Sequence, residues 1–362
     1  MRDRPGTAAT GAVRQPGRQR GAAFLLALLL LALAALALTA TDGLLRAAAG
    51  ESERQTTEAL ARAREALIGR AVADDNRPGT LPCPAPDEKG QVPLFAGSHC
   101  PSYVGRFPWR TMRTGELRDG RGELLWFALA PVLRDNAAVE PVDGQAGTLL
   151  TVDGRSGIAA IVFSPGPPLA GQSRHADSSA GDYLDATNAD GDTHFSATAN
   201  DINDRLLPLA HATLFRTVGR RVLAEIGGPP GPNAVPPVAG LRRYHAVHDT
   251  FPWADGDDDG YADAGLAVGR VPYRELALPA VDTQAEDDAA SGQAAQLTPD
   301  WLERNGWFAR VRYRRQTADE ARLELDGFDG PGSPDSPGNP ESAGNPAGIA
   351  LDLRPCPPVP CS

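Results

Sequence analysis

Twenty consecutive residues without a charge, Ala22 to Thr41, constrain this 362-residue chain more than any other feature. As a helix they rise about 30 Å, the thickness of a bilayer's hydrocarbon core. Arg2, Arg4, Arg14, Arg18 and Arg20 precede them, against a single acid, Asp3. By the positive-inside rule this places residues 1–21 in the cytoplasm and the rest of the chain beyond the inner membrane. The sequence therefore predicts a single-pass membrane protein, with 22–41 as the transmembrane segment and an ectodomain on its outer, periplasmic side. A cleaved secretory signal fits less well. The apolar core exceeds the usual ~7–15 residues, and the small-residue site Ala47-Ala48-Ala49 lies well past its end.

The charge distribution points the same way. Residues 1–21 sum to +4 and residues 22–73 to zero, so the remainder carries −15 of the net −11. A domain that acidic repels nucleic acid at long range, and no nucleic-acid partner is expected. Lys89 is the only lysine and is followed by Gly90-Gln91, which excludes a Walker A phosphate loop.

Helix-compatible sequence continues from Leu44 to Ala73 without proline. Leu60, Ala63, Leu67 and Ala71 fall at helical spacing, while Arg54, Glu58 and Arg62 mark an exposed charged face. Residues 22–73 thus read as one helix of about 78 Å, apolar first and amphipathic second.

Arg18-Gln19-Arg20-Gly21, followed directly by Ala22-Ala23-Phe24-Leu25-Leu26, resembles the prepilin-type signal of type IV pilins and type II secretion pseudopilins. The resemblance implies cleavage by a prepilin peptidase between Gly21 and Ala22, with Ala22 as a methylated first residue. It also implies assembly with other pilin or pseudopilin subunits on an inner-membrane platform, with membrane lipid around the apolar helix, and no catalytic activity. One position departs from the family. The fifth mature residue, a glutamate in most pilins, is Leu26, which is the pattern of a tip or minor subunit. Further along, Thr80-Leu81-Pro82-Cys83-Pro84, Gly105-Arg106-Phe107-Pro108-Trp109, Leu124-Leu125-Trp126-Phe127-Ala128, Ile161-Val162-Phe163-Ser164-Pro165-Gly166 and Asn203-Asp204-Arg205-Leu206-Leu207 resemble a set of uncharacterised prepilin-like envelope proteins of Gram-negative bacteria.

The fold expected is α+β. A long N-terminal transmembrane and amphipathic helix is followed by a loop-rich ectodomain with strands and a few helices. The boundaries read as a leader at 1–21, the helix at 22–73, ectodomain segments at 74–226 and 241–326, a Pro/Gly-rich linker or surface loop at 227–240, and a Gly/Pro-rich irregular tail at 327–362. Ile158–Phe163, bounded by Gly157 and Ser164-Pro165, predicts a buried strand, with Thr148–Val152 as its partner across Asp153-Gly154. Leu214, Phe215, Val218, Val222, Leu223 and Ile226 predict a helix stopped by Gly227-Gly228-Pro229. Ala309, Val311 and Tyr313 alternate with arginines, as on a half-exposed strand that pairs with 322–325. The outward arginines read as a solvated face in preference to a surface for an acidic partner.

Four cysteines, Cys83, Cys100, Cys356 and Cys361, suit two disulfides, the local pairing being one of three possible. Zinc is the poorer reading, since no C-x-x-C pair exists. The most specific chemical pattern is Asp255-Gly256-Asp257-Asp258-Asp259-Gly260-Tyr261-Ala262-Asp263. Acids at positions 1, 3, 5 and 9, glycine at 6 and a backbone carbonyl at 7 form the grammar of a calcium loop. Asp255, Asp257, Asp259, Tyr261 and Asp263 are its candidate ligands, for a structural Ca2+. Position 12 is Leu266, so the loop is not an EF-hand. The competing reading is an acidic surface turn. A second loop, Asp182, Asp185, Asn188, Asp190 and Asp192, is less regular and reads as Asx turns before metal. Two functions remain beside the pilin reading: a membrane-tethered, calcium-stabilised adhesive or ligand-binding ectodomain, and, less favoured, an envelope hydrolase.

Overall fold

The computed structural model describes residues 19–74, 77–92, 99–135, 149–175, 179–198, 202–228, 239–278, 300–325 and 348–355. The chain divides near Arg54 into two units, Met1–Arg54 and Gln55–Ser362. Helix α1, Gln19–Ala73, runs through the boundary. In the first unit Phe24, Leu25, Leu26, Leu28, Leu29, Leu30, Leu31 and Leu33 are exposed. In the second unit α1 is amphipathic. Ala59, Leu60, Ala63, Leu67 and Ala71 are buried in the core, while Arg62 pairs with Glu58 on the outer face at 3.7 Å. The helix stops because Arg70 and the Arg77 amide both engage Asp74, at 2.9 and 2.8 Å. Gly79, at φ +102°, turns its amide back to the Ala71 carbonyl.

The expected transmembrane segment does not hold. Among the described residues no helix is long and apolar enough to cross a membrane. The assignment of 22–41 as a membrane span, and with it the single-pass placement in the inner membrane, is overturned. Among the described residues the fold is mixed α/β, with two sheets.

The elements of the second unit follow in chain order. They are β1 (Val104–Arg106), α2 (Trp109–Met112), β2 (Trp126–Leu129), β3 (Leu150–Val152), β4 (Arg155–Ser164), β5 (His194–Phe195), β6 (Arg205–Ala210), α3 (His211–Gly227), α4 (Gly240–His248), β7 (Val268–Gly269), α5 (Asp300–Arg304), β8 (Val311–Arg315), β9 (Ala321–Leu325) and β10 (Ile349–Leu353). The first sheet has the order β1-β2-β4-β3-β5, with β6 also paired to β4. Strand β4 is its axis. The run from Ala159 to Ser164 is buried, and it pairs with β2 (Phe127↔Val162) and β6 (Val162↔Leu207). The β3–β4 hairpin turns at Asp153 and Gly154, both at positive φ (48° and 77°), which is the two-residue geometry that matches strand twist.

Helix α3 joins the two sheets. Leu214, Phe215, Val218, Val222, Leu223 and Ile226 are all buried, and α3 packs against β4 and β6 on one side and β9 and β10 on the other. The second sheet has the order β10-β9-β8-β7. Val311 and Tyr313 of β8 point inward while Arg312 and Arg314 are exposed, and the Tyr313 hydroxyl donates to the Pro252 carbonyl at 2.8 Å. Strand β10 lies inside the tail expected to be irregular. Its Ile349, Leu351 and Leu353 alternate at the strand period, and pairing with β9 satisfies the backbone. Residues 229–238 lie outside the described residues, but their ends meet. A Cβ on Gly240 would stand 2.5 Å from the Gly228 nitrogen, so the chain leaves and returns at one point. Cys83 and Cys100 form a disulfide. Cys356 and Cys361 lie outside the described residues.

Candidate metal centre

The 255–263 loop is built on a pinched neck. The Asp255 and Arg270 main chains exchange two hydrogen bonds, at 3.1 and 2.7 Å, and the Ala254 amide bonds the Leu266 carbonyl at 2.8 Å. Gly269 permits this approach, because a Cβ there would strike the Asp255 carbonyl. Beneath the neck, Phe251 and Ala254 are anchored in the core. Gly260, at φ +85°, makes the turn that the pattern demanded at position 6.

Asp255 organises the loop from within. It is 1% exposed. Its Oδ1 accepts from the Asp257 and Asp258 amides at 3.1 and 2.8 Å, and its Oδ2 from the Gly260 amide at 2.8 Å. Asp263 Oδ2 accepts from the Gly256 amide at 2.8 Å and closes the far side. One carboxylate oxygen from each of Asp255, Asp257 and Asp263 lies within 4.8 Å of the others. The Asp259 carboxylate does not join this group. Asp259 Oδ1 takes the Tyr261 amide at 2.8 Å, and the Tyr261 ring is exposed, 6.0 Å from the Arg274 guanidinium. Three of the four candidate carboxylates thus converge; Tyr261, a candidate through its main-chain carbonyl, lies in the same turn. An all-oxygen donor set fits a hard divalent cation, and nothing in it is specific to calcium. Leu266, in the place of an EF-hand's bidentate glutamate, packs toward Gly256.

The sequence reading missed the basic side of the loop. Arg270 pairs with Asp258 at 2.8 Å, Arg274 Nε donates to the Asp259 carbonyl at 3.0 Å, and Glu275 accepts the Ala262 amide at 2.9 Å. These residues follow the loop by 7 to 12 positions from its last acid, beyond any local ligand pattern. They hold the acidic turn together whether or not a cation is bound.

The second acidic loop does not gather its side chains. Asp182 caps its own turn with Ser179. Asp190 and Asp192 each accept an amide two residues on, at 3.0 and 2.6 Å. Asp185 and Asn188 are buried and face Asp204. Among the described residues, the Asp255–Asp257–Asp263 group is the only carboxylate, histidine and cysteine cluster with metal-ligand proximity. His245 pairs with Asp319 at 2.8 Å and its ring packs on Phe251. The processing residues Gly21 and Ala22 fall in the first turn of α1.

Comparison with known proteins gives no match: no family model fits the chain, and no curated protein or solved structure is similar to it.

Proposed function

We propose that the chain is a minor pilin- or pseudopilin-like structural subunit that acts by assembly through α1, not by catalysis. The observation that supports this reading is the division of labour along one continuous 55-residue helix. Its C-terminal half is a wall of the folded unit, and its N-terminal half carries exposed apolar side chains from Phe24 to Leu33. Exposed apolar surface of that extent needs a cover. Helices of the same kind on sister subunits supply it, with their leucines interleaved. A prepilin-type peptidase would release residues 1–21, and an assembly platform would gather the subunits. Leu26 in place of the usual acid suits a minor or tip position.

Mass spectrometry of the mature N-terminus tests the reading. N-methylated Ala22 is the expected result. A chain that retains Met1, or one that begins at Gly50, overturns it. A second reading, an adhesive or ligand-binding unit stabilised by a divalent cation such as calcium, draws on the converging carboxylates of Asp255, Asp257 and Asp263. It makes no demand on the N-terminus, so the same measurement separates the two.

A further inference from the structure

We infer that Asp185 and Asp204 form a proton-operated latch that fastens the 180–188 turns onto the start of β6. The inference is independent of the assembly reading. It begins with hydrogen-bond accounting around two acids that are almost wholly buried, at 4% and 5% exposure.

The latch ties together three segments that are distant in sequence. Asp185 Oδ1 accepts from Gln172 Nε2 at 2.7 Å, and its Oδ2 from the Asn203 amide at 2.8 Å. Asp204 Oδ2 accepts from the Asp185 amide at 2.9 Å and from Asn188 Nδ2 at 3.0 Å. Asn188, fully buried, also exchanges two hydrogen bonds with the Ser196 backbone. The donors that reach the two carboxylates are the Gln172 and Asn188 side-chain amides and the Asn203 and Asp185 backbone amides. Asp204 Oδ1 and Asn203 Oδ1 remain buried with no partner. Asp204 thus has an oxygen to spare, and the buried Arg174 Nε, itself without a partner, does not reach it. A proton on Asp204 Oδ1 removes a buried charge that two hydrogen bonds on Oδ2 only partly stabilise.

The charged groups that face Asp204 are Asp185 from the turn and Arg174 from the preceding loop; Asn188 and Asn203 are neutral. Burial, assisted by Asp185, pushes the Asp204 carboxyl up to about 7, against the opposing hydrogen bonds and Arg174. The ordinary value is 3.8. The closed latch therefore holds a proton that an opened, hydrated Asp204 releases. Latch stability is complete below about 4 and is lost as pH rises to about 7, above which it is level.

Opening has a visible consequence. The turn carries Tyr183, whose carbonyl is gripped by Arg174 Nη2 at 3.2 Å and whose ring lies 5.3 Å from Trp126. Release of the turn uncovers Trp126, which is otherwise 3% exposed.

Hydrogen exchange of the full chain from pH 4.5 to 8.5, corrected for intrinsic exchange rates, tests the latch. The opening equilibrium of residues 183–196 should rise about tenfold per pH unit and level off near 7, the signature of one proton lost on opening. Asp204→Asn, neutral at every pH, should flatten that profile. Carbon NMR of the Asp204 carboxyl in the wild-type chain should titrate near 7, and it requires no variant to fold. A wild-type exchange profile without slope, an Asp204 midpoint below 5, or an unchanged slope in a folded Asp204→Asn would each overturn the inference.

Discussion

The Arg106 guanidinium sits in the corner formed by the Trp126 ring, at 4.4 Å, and the Tyr183 ring, at 4.0 Å, with Glu88 at 3.2 Å. The side chain is 4% exposed, so this is a buried cation held by two aromatic faces and one carboxylate. A lysine keeps the charge but loses the planar fork that stacks and pairs at once. Arg106→Lys should destabilise the protein by about 2 kcal/mol, and Arg106→Ala by about 3–5 kcal/mol because Glu88 and both rings lose their partner. Urea unfolding of the full chain measures both. An unchanged midpoint in Arg106→Lys would show that the stack contributes nothing.

Gly228 and Gly240 make the opposite demand, for absence of a side chain. Both have φ near +78°, and a Cβ on either would strike backbone of the other's segment. Gly240→Ala should cost more than the ~1 kcal/mol of a positive φ alone, about 3 kcal/mol in all once the neck must also spread. Gly69→Ala is the control. It sits inside α1 with open space around it, so helix propensity alone predicts a gain of about 1 kcal/mol. Thermal melting of the two variants should move in opposite directions.

Much of the second unit was legible because its signals are local. The apolar stretch 158–163 of strand β4 is marked off by Gly157 and Ser164-Pro165, although the strand itself begins at Arg155; α3 repeats its apolar residues at helical spacing, and the arginines of β8 announce its outer face. Strand β10 was hidden because five alternating residues inside a Gly/Pro/Ser-rich tail carry too little periodic signal, and only β9 makes them a strand. The membrane span was misread because the lack of charge over 22–41 is not sufficient: no helix among the described residues is long and apolar enough to cross a membrane. The loop grammar at 255–263 was legible as far as the turn and Asp255, Asp257 and Asp263. It overreached at Asp259, whose carboxylate lies outside the converging group. Asp204 had no local signal at all. Its burial depends on Asp185, 19 residues away.

The same loop gives a prediction with two arms. Asp257 is exposed and Asp255 is buried, though both belong to the converging group. If the group takes a cation, added calcium should raise the melting temperature, by the equivalent of about 2.7 kcal/mol at a hundredfold excess over Kd. Asp257→Asn should abolish that shift while leaving the metal-free melting temperature nearly unchanged. Asp255→Asn should lower the metal-free value by about 1–3 kcal/mol, because three backbone amides lose a full carboxylate acceptor. Magnesium in place of calcium tests selectivity. No shift in the wild-type chain with excess of either ion would remove the metal reading and leave Asp255 as a turn-former.

The Cys83–Cys100 bond closes a loop of sequence separation 17 next to the strand that carries Arg106. Both cysteines are buried, and the bond acts mainly by restricting the unfolded chain, which for a loop of this length is worth about 3 kcal/mol. Replacement of both cysteines by serine should lower unfolding stability by that amount, and reduction of the wild-type protein should give the same value. The double replacement by alanine separates two effects. Serine leaves two hydroxyls to be satisfied in an apolar setting, whereas alanine does not. The alanine pair should therefore be the more stable of the two variants. Equal stability of oxidised and reduced wild-type protein in urea would mean that the bond is not formed in solution.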